Sequence, residues 1–190
     1  MDIILASGSP RRKELLTQAG LSFRVLVSDA DERVDPALSP AEQVAAIYRR
    51  KADAVAETVG SEPLIIAADT VVSFDGRVMG KPRDRAEAVG MLSALQGNTH
   101  EVYTGLTVRQ GARIVTHAER TAVTFRPLSA EEIDAYVATG EPMDKAGAYG
   151  IQGLGGVFVE GIAGDYFNVM GLPLCRLAVI LKSFGVEVLG

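Results

Sequence analysis

Cysteine, histidine and tryptophan are nearly missing from these 190 residues, which hold one cysteine, two histidines and no tryptophan. Cys175 alone cannot close a disulfide within the chain, and this excludes a disulfide-stapled scaffold. It falls in an apolar stretch with helical spacing, so a buried, inert thiol is expected. His100 and His117 lie far apart inside alternating, strand-like runs and give no zinc-site spacing. No run of about 18 apolar residues occurs, so no membrane-spanning helix is expected. The first residues also lack the basic start, long apolar core and small-residue cleavage site of a secretory signal, and a cytoplasmic location is the expectation. Positive charge is in deficit, with 19 Lys and Arg against 24 Asp and Glu for a net charge of -5. That excludes the broad basic field of non-specific binding to nucleic acid or to an anionic membrane. The pattern G-x-x-x-x-G-K-S/T is absent, which removes a P-loop NTPase, and Gly8 lacks the partners of the dinucleotide-binding fingerprint.

What is present is a chain 47% hydrophobic and 23% charged, enough for one well-packed domain over residues 1–190 and short for two. Ile3-Ile4-Leu5-Ala6 reads as a strand and Pro10 as a helix start. Ser39-Pro40-Ala41-Glu42 is a capping box opening a helix to about Glu57, which carries Lys51. The continuous apolar run Leu64-Ile65-Ile66-Ala67-Ala68 suits a strand buried on both faces and delivers Asp69-Thr70 near its end. Asp75-Gly76 turns a hairpin, Asp84 with Glu87 caps a further helix, and Ser129 with Glu132 forms another capping box. Strands are expected from Val102 to Val108, Ile114 to Ala118, Ala122 to Phe125, Val157 to Val159 and Phe167 to Met170, followed by a helix from about Pro173 to Phe184. This order predicts an α/β fold with a mixed, partly antiparallel sheet flanked by helices.

The chemistry concentrates in a few places. Arg11, Arg12 and Lys13 occupy the first turn of a helix, where the unpaired N–H groups already carry positive partial charge. A bound phosphate reconciles them: Gly8 allows close backbone approach, Ser7 and Ser9 offer hydroxyls, and arginine can clamp phosphate oxygens. Asp69 follows five small or apolar residues, a costly position for a carboxylate unless it meets a cation or caps a turn, and it is a general-base or metal-ligand candidate. Asp29-Ala30-Asp31-Glu32 gathers carboxylate oxygens of the kind that suit Mg²⁺ or Mn²⁺. The start of that segment is reminiscent of aspartyl-phosphate phosphatases, but Arg33 stands where Thr or Val is expected. Lys81, between Gly80 and Pro82, can hold a phosphate, and Lys145 adds a further cation. The segment from Gly140 to Gly153 interleaves four glycines with Tyr149, Ile151 and Gln152, which favours a shaped active-site loop over a linker.

Leu5-Ala6-Ser7-Gly8-Ser9-Pro10-Arg11-Arg12, Ala68-Asp69-Thr70-Val71-Val72, Gly80-Lys81-Pro82, the run from Asp144 to Gly153, and Asn168-Val169-Met170-Gly171-Leu172-Pro173 closely resemble the Maf family, over almost the whole chain. The resemblance implies a nucleoside triphosphate pyrophosphatase with a house-cleaning role and a divalent cation, Mg²⁺ or Mn²⁺. It also implies a fold like that of inosine triphosphate pyrophosphatases, with a central cleft. Arg11, Thr70 and Gln152 match the branch acting on dTTP and UTP rather than the one acting on 7-methyl-GTP. On this reading Asp69 is catalytic and binds metal, with Glu32 as the second metal ligand. Ser7, Arg11, Arg12, Lys51 and Lys81 hold the triphosphate, and Gln152 with Thr70 reads the base. A nucleotide-sensing regulator of cell division without turnover is the competing class, and a homodimer is left open.

Overall fold

All side chains from position 64 to position 68 are buried, as a strand covered on both faces requires. A computed structural model describes residues 1–27, 33, 35 and 37–189. In chain order the elements are β1 (Ile3–Leu5), α1 (Pro10–Gln18), β2 (Arg24–Val25), α2 (Pro40–Val59), β3 (Leu64–Phe74), β4 (Arg77–Met79), α3 (Arg85–Leu95), β5 (Thr99–Gln110), β6 (Arg113–Phe125), α4 (Ala130–Ala138), β7 (Val159–Ala163), α5 (Tyr166–Met170) and α6 (Leu174–Ser183). Three short 3-10 segments, Glu141–Asp144, Ala146–Ala148 and Leu154–Phe158, lie between α4 and β7. Among the described residues the strands form one seven-stranded sheet of order β2-β1-β3-β5-β6-β7, with β4 beside β3. β1 is parallel to β2 and β3, whereas β4 is antiparallel to β3 and β7 to β6. This is the mixed sheet with helices that the order of segments predicts.

The chain falls into two compact units, Met1–Asp69, Thr104–Glu119 and Gly171–Gly190 forming the first, Thr70–Tyr103 and Arg120–Met170 the second. In the first, Ile4, Leu5, Leu15, Leu16, Leu64 and Ile66 are fully buried. α2 starts as its sequence demands: the Ser39 hydroxyl accepts from the Glu42 N–H, and the Glu42 carboxylate accepts from the Ser39 N–H at 2.8 Å. In the second unit the Asp84 carboxylate accepts from the Glu87 N–H at 2.8 Å to open α3, and Ser129 with Glu132 caps α4 reciprocally. Leu92, Leu95, Val123, Ile133 and Val137 form its core together with edge-to-face aromatic contacts, Phe125 standing 4.7 Å from Tyr149. Asp75 and Gly76 both take positive φ, 49° and 71°, the geometry of a two-residue hairpin turn between β3 and β4.

Five expectations are corrected. β3 does not end near Asp69 but runs on to Phe74, because Thr70, Val71 and Val72 are β-branched and the turn signal comes only at Asp75. β6 is continuous where two strands are expected, since Arg120 is paired with Glu101 and so rides on the strand without breaking it. Residues 167–170 are helical, not extended: the Asp165 carboxylate accepts from the Phe167 N–H at 2.8 Å and starts α5. In the same way Val157 falls in a 3-10 segment, and β7 begins only at Val159. Cys175 is exposed rather than buried. α6 buries Leu177, Ile180 and Leu181, and Cys175 lies about 200° around the helix from Leu177.

Candidate active site

In the first unit, Ser7 sits in the turn between β1 and α1 and is buried together with Arg12. The Ser7 hydroxyl accepts from Arg12 Nη1 at 3.0 Å and from the Ser9 N–H at 3.3 Å, and Arg12 Nε donates to the Gly171 carbonyl at 2.8 Å. Arg12 therefore ties the turn to the segment that precedes α6. Ser9 is the N-cap of α1 and makes no side-chain cap bond, no acidic residue lies in the first turn, and Pro10 holds the first position. The helix start is therefore left without a capping side chain or an acidic residue of its own. Arg11 is half-buried at the same turn.

Asp69 and Lys51 meet: Nζ stands 3.1 Å from Asp69 Oδ1, with 12% of the lysine side chain and 20% of the aspartate side chain exposed. The cation that a carboxylate after an apolar run demands is therefore Lys51, three residues along α2 from Tyr48. Tyr48 is itself buried against β5 at Gly105, where a Cβ would fall 1.6 Å from the tyrosine ring. The absence of a side chain at Gly105 is what lets α2 sit at this height and aim Lys51 at Asp69. Burial pushes the Tyr48 hydroxyl up to about 12, so it stays neutral.

In the second unit, Thr70 directly follows Asp69 and is half-buried, whereas Lys81 and Gln152 are exposed. The Gly80 carbonyl beside Lys81 accepts from the Gly147 N–H at 3.1 Å, which ties the Lys81 turn to the glycine-rich loop. Gly147 has φ 69° and sits on Val72, with no space for a Cβ. Lys145 Nζ donates to the Glu141 carbonyl at 2.6 Å and to Asp144 Oδ1 at 2.7 Å. Glu32, with the rest of the acidic cluster from Asp29, lies outside the described residues.

Sequence reasoning gave Glu141 no role. Its carboxylate accepts from the Leu154 N–H at 2.9 Å, the Gly155 N–H at 3.1 Å and the Tyr136 hydroxyl at 2.9 Å. Burial alone would raise this carboxyl, but the two N–H groups, the tyrosine hydroxyl and the Lys145 charge hold it below the usual range. The signal that could have found it is an acidic residue among closely spaced glycines, whose backbone N–H groups form ready anion sites. Gly105 and Gly171 were also missed as partners of Tyr48 and Arg12.

The profile of the Maf-like protein family matches residues 2–184. A protein of Bacillus cytotoxicus named dTTP/UTP pyrophosphatase is 55% identical over 181 residues, which is 95% of this chain and 94% of that one. A Bacillus anthracis protein of the same name is 52% identical over 186 residues, 98% of this chain and 97% of the relative. Among solved structures, the Ham1 protein of Staphylococcus aureus shares the fold with a TM-score of 0.53 at 14% identity, covering 96% of this chain and 99% of that one. On the strength of the profile and of these near full-length relatives, the chain belongs to the Maf-like protein family.

Proposed function

We propose that this protein hydrolyses dTTP and UTP to the nucleoside monophosphate and pyrophosphate. The observation that carries the reading is the Asp69 carboxylate on β3, held 3.1 Å from Lys51 in a chain 55% identical to a relative named for that activity. Water oxygen bonds to the α-phosphorus, the bond from that phosphorus to the bridging oxygen breaks, and the oxygen leaves with pyrophosphate. Asp69 serves either as the base that takes the water proton or as a ligand to a divalent cation, and the ion pair with Lys51 fixes its oxygens for both tasks. Ser7, Arg11, Arg12, Lys51 and Lys81 are the residues assigned to the triphosphate oxygens. Arg12 acts mainly by bracing Ser7 and the helix start. Thr70 and Gln152 read the base.

Among the described residues no group of three or more His, Cys, Asp or Glu could hold a metal ion. The oxygen-donor chemistry still fits Mg²⁺ or Mn²⁺, because these ions are commonly held by one or two carboxylates with substrate phosphates and water. Asp69 would be one ligand and Glu32 the second. When bound, the ion would offset the negative charge that develops on the leaving group. A cytoplasmic location and a house-cleaning role belong to the same proposal.

The test is to incubate the protein and Mg²⁺ with dTTP, UTP or 7-methyl-GTP and to assay pyrophosphate and orthophosphate separately. Pyrophosphate from the two pyrimidine nucleotides is expected, with Asp69→Asn slower by about 10²–10⁴-fold, the span of a positioned acid or base. Full pyrophosphate release by Asp69→Asn would remove the role of Asp69. Tight nucleotide binding without any product would favour the regulator instead.

A further inference from the structure

Gln152 is exposed, yet the backbone on either side of it is held. On one side the Gly150 N–H donates to the Tyr136 hydroxyl oxygen at 3.2 Å; on the other the Leu154 and Gly155 N–H groups donate to the Glu141 carboxylate at 2.9 and 3.1 Å. The two anchors are themselves joined, Tyr136 donating to Glu141 Oε1 at 2.9 Å. Tyr136 is buried in the core of the second unit and packs edge-on against Phe158 at 4.9 Å, so the whole clamp is referred to rigid structure. The glycines permit it. A Cβ at Gly153 would stand 2.5 Å from Glu141 Oε1, and one at Gly155 2.7 Å from the Tyr136 hydroxyl.

We propose that Glu141 is a positioning residue that, together with Tyr136, presents Gln152 to the nucleotide base in one orientation and so sets the preference for pyrimidine triphosphates without touching substrate. The inference rests on the role proposed above for Gln152. A side-chain amide discriminates between bases only if its donor and acceptor are fixed before binding; otherwise ordering the loop consumes the difference. A carboxylate suits the task because it can accept three hydrogen bonds at once. A glutamine of the same size offers one accepting oxygen and turns an N–H group toward another donor.

The experiment compares wild type, Glu141→Gln, Tyr136→Phe, Gln152→Ala and the Glu141→Gln/Gln152→Ala double variant. KM and kcat are measured for dTTP, UTP and GTP, and hydrogen exchange of the Gly150, Leu154 and Gly155 amides is followed in the free protein. Loss of charge-assisted bonds predicts exchange at 154 and 155 faster by about tenfold or more in Glu141→Gln. KM for dTTP should rise about tenfold with kcat within about threefold, and the preference for dTTP over GTP should fall by a similar factor. Removing Gln152 from the Glu141→Gln protein should then add little, as expected of two residues acting through one contact. Unchanged selectivity, or a full additional effect of Gln152→Ala, overturns the proposal. Should Glu141→Gln fail to fold, Tyr136→Phe, which keeps the core ring and removes the Gly150 anchor, must show the same KM and selectivity shifts. If wild type itself releases no pyrophosphate, the functional reading fails, and the clamp is judged on amide exchange and nucleotide affinity; exchange equal to wild type then overturns it.

Discussion

His100 is buried on β5 with its Nε2 2.8 Å from the Tyr149 hydroxyl and its ring edge-on to Phe125 at 4.9 Å. Burial pushes the imidazole down from 6.5 to about 4. Its neutral form is thus the one the fold accepts, while the unfolded chain takes up the proton near pH 6.5. The contribution of His100 is therefore complete above pH 6.5 and falls as pH drops toward 4, where both states are protonated. At pH 4.5 this site alone should lower stability by about 2–3 kcal/mol relative to pH 7. Urea denaturation of wild type and His100→Gln at the two pH values checks it. The variant, less stable at pH 7, should lose less on acidification by that amount, and equal losses in the two proteins would refute the assignment. Lys51 and Asp69 lie 18 residues apart in sequence, and each is fixed by its own element rather than by its neighbours.

At the scale of elements, Gly105 and Gly90 are glycines with opposite meaning. On β5, Gly105 makes space for the Tyr48 ring, and a methyl group there would overlap it at 1.6 Å. Gly105→Ala should cost about 2–3 kcal/mol through overpacking, and should lower kcat/KM because α2 carries both Tyr48 and Lys51. Gly90 lies inside α3 with nothing within 4 Å of an added Cβ, so Gly90→Ala should instead stabilise by about 0.5–1 kcal/mol with activity unchanged. Thermal melts and dTTP turnover of the two variants decide; a neutral Gly105→Ala would mean that α2 is free to shift. The same contrast explains what was legible in the sequence. The caps at Ser39, Asp84 and Ser129 are local codes within three residues and are found where they are read. The buried run at 64–68 and the Asp75-Gly76 hairpin were legible for the same reason. α5 was not, because its sequence looks strand-like: the Asp165 cap that starts it is local, but the segment is also held by Asn168, whose amide reaches the Val102 carbonyl 66 positions away. Cys175 was misread because an apolar helical stretch does not reveal which stripe is buried. In the candidate site, the residues bearing cation or carboxylate chemistry were legible as types, while the partners Gly105, Gly171 and Glu141 depend on contacts that no local pattern encodes.

Across the whole molecule, a net charge of -5 has to be reconciled with an anionic substrate. The long-range field repels a nucleoside triphosphate, so on the proposed site affinity would come from cations close to the phosphates, together with the N–H groups at the start of α1. No helix among the described residues is long and apolar enough to cross a membrane, and the family match runs through both compact units rather than stopping within one. A ligand that binds the native chain therefore reports on the fold that defines the family. With Mg²⁺ present, the non-hydrolysable α,β-imido analogue of dTTP at about 100 times its Kd should stabilise the protein by about 2.7 kcal/mol, a rise in Tm of about 5–10 °C for a chain of this size. The same concentration of a 7-methyl-GTP analogue should give a much smaller rise. Raising salt from about 0.05 to 0.5 M shortens the screening length to a few ångströms and should reduce the dTTP-analogue shift, because the attraction is local and ionic. Equal shifts with both analogues would sink the pyrimidine assignment, and a shift indifferent to salt would place the binding energy elsewhere than in Arg11, Lys51 and Lys81.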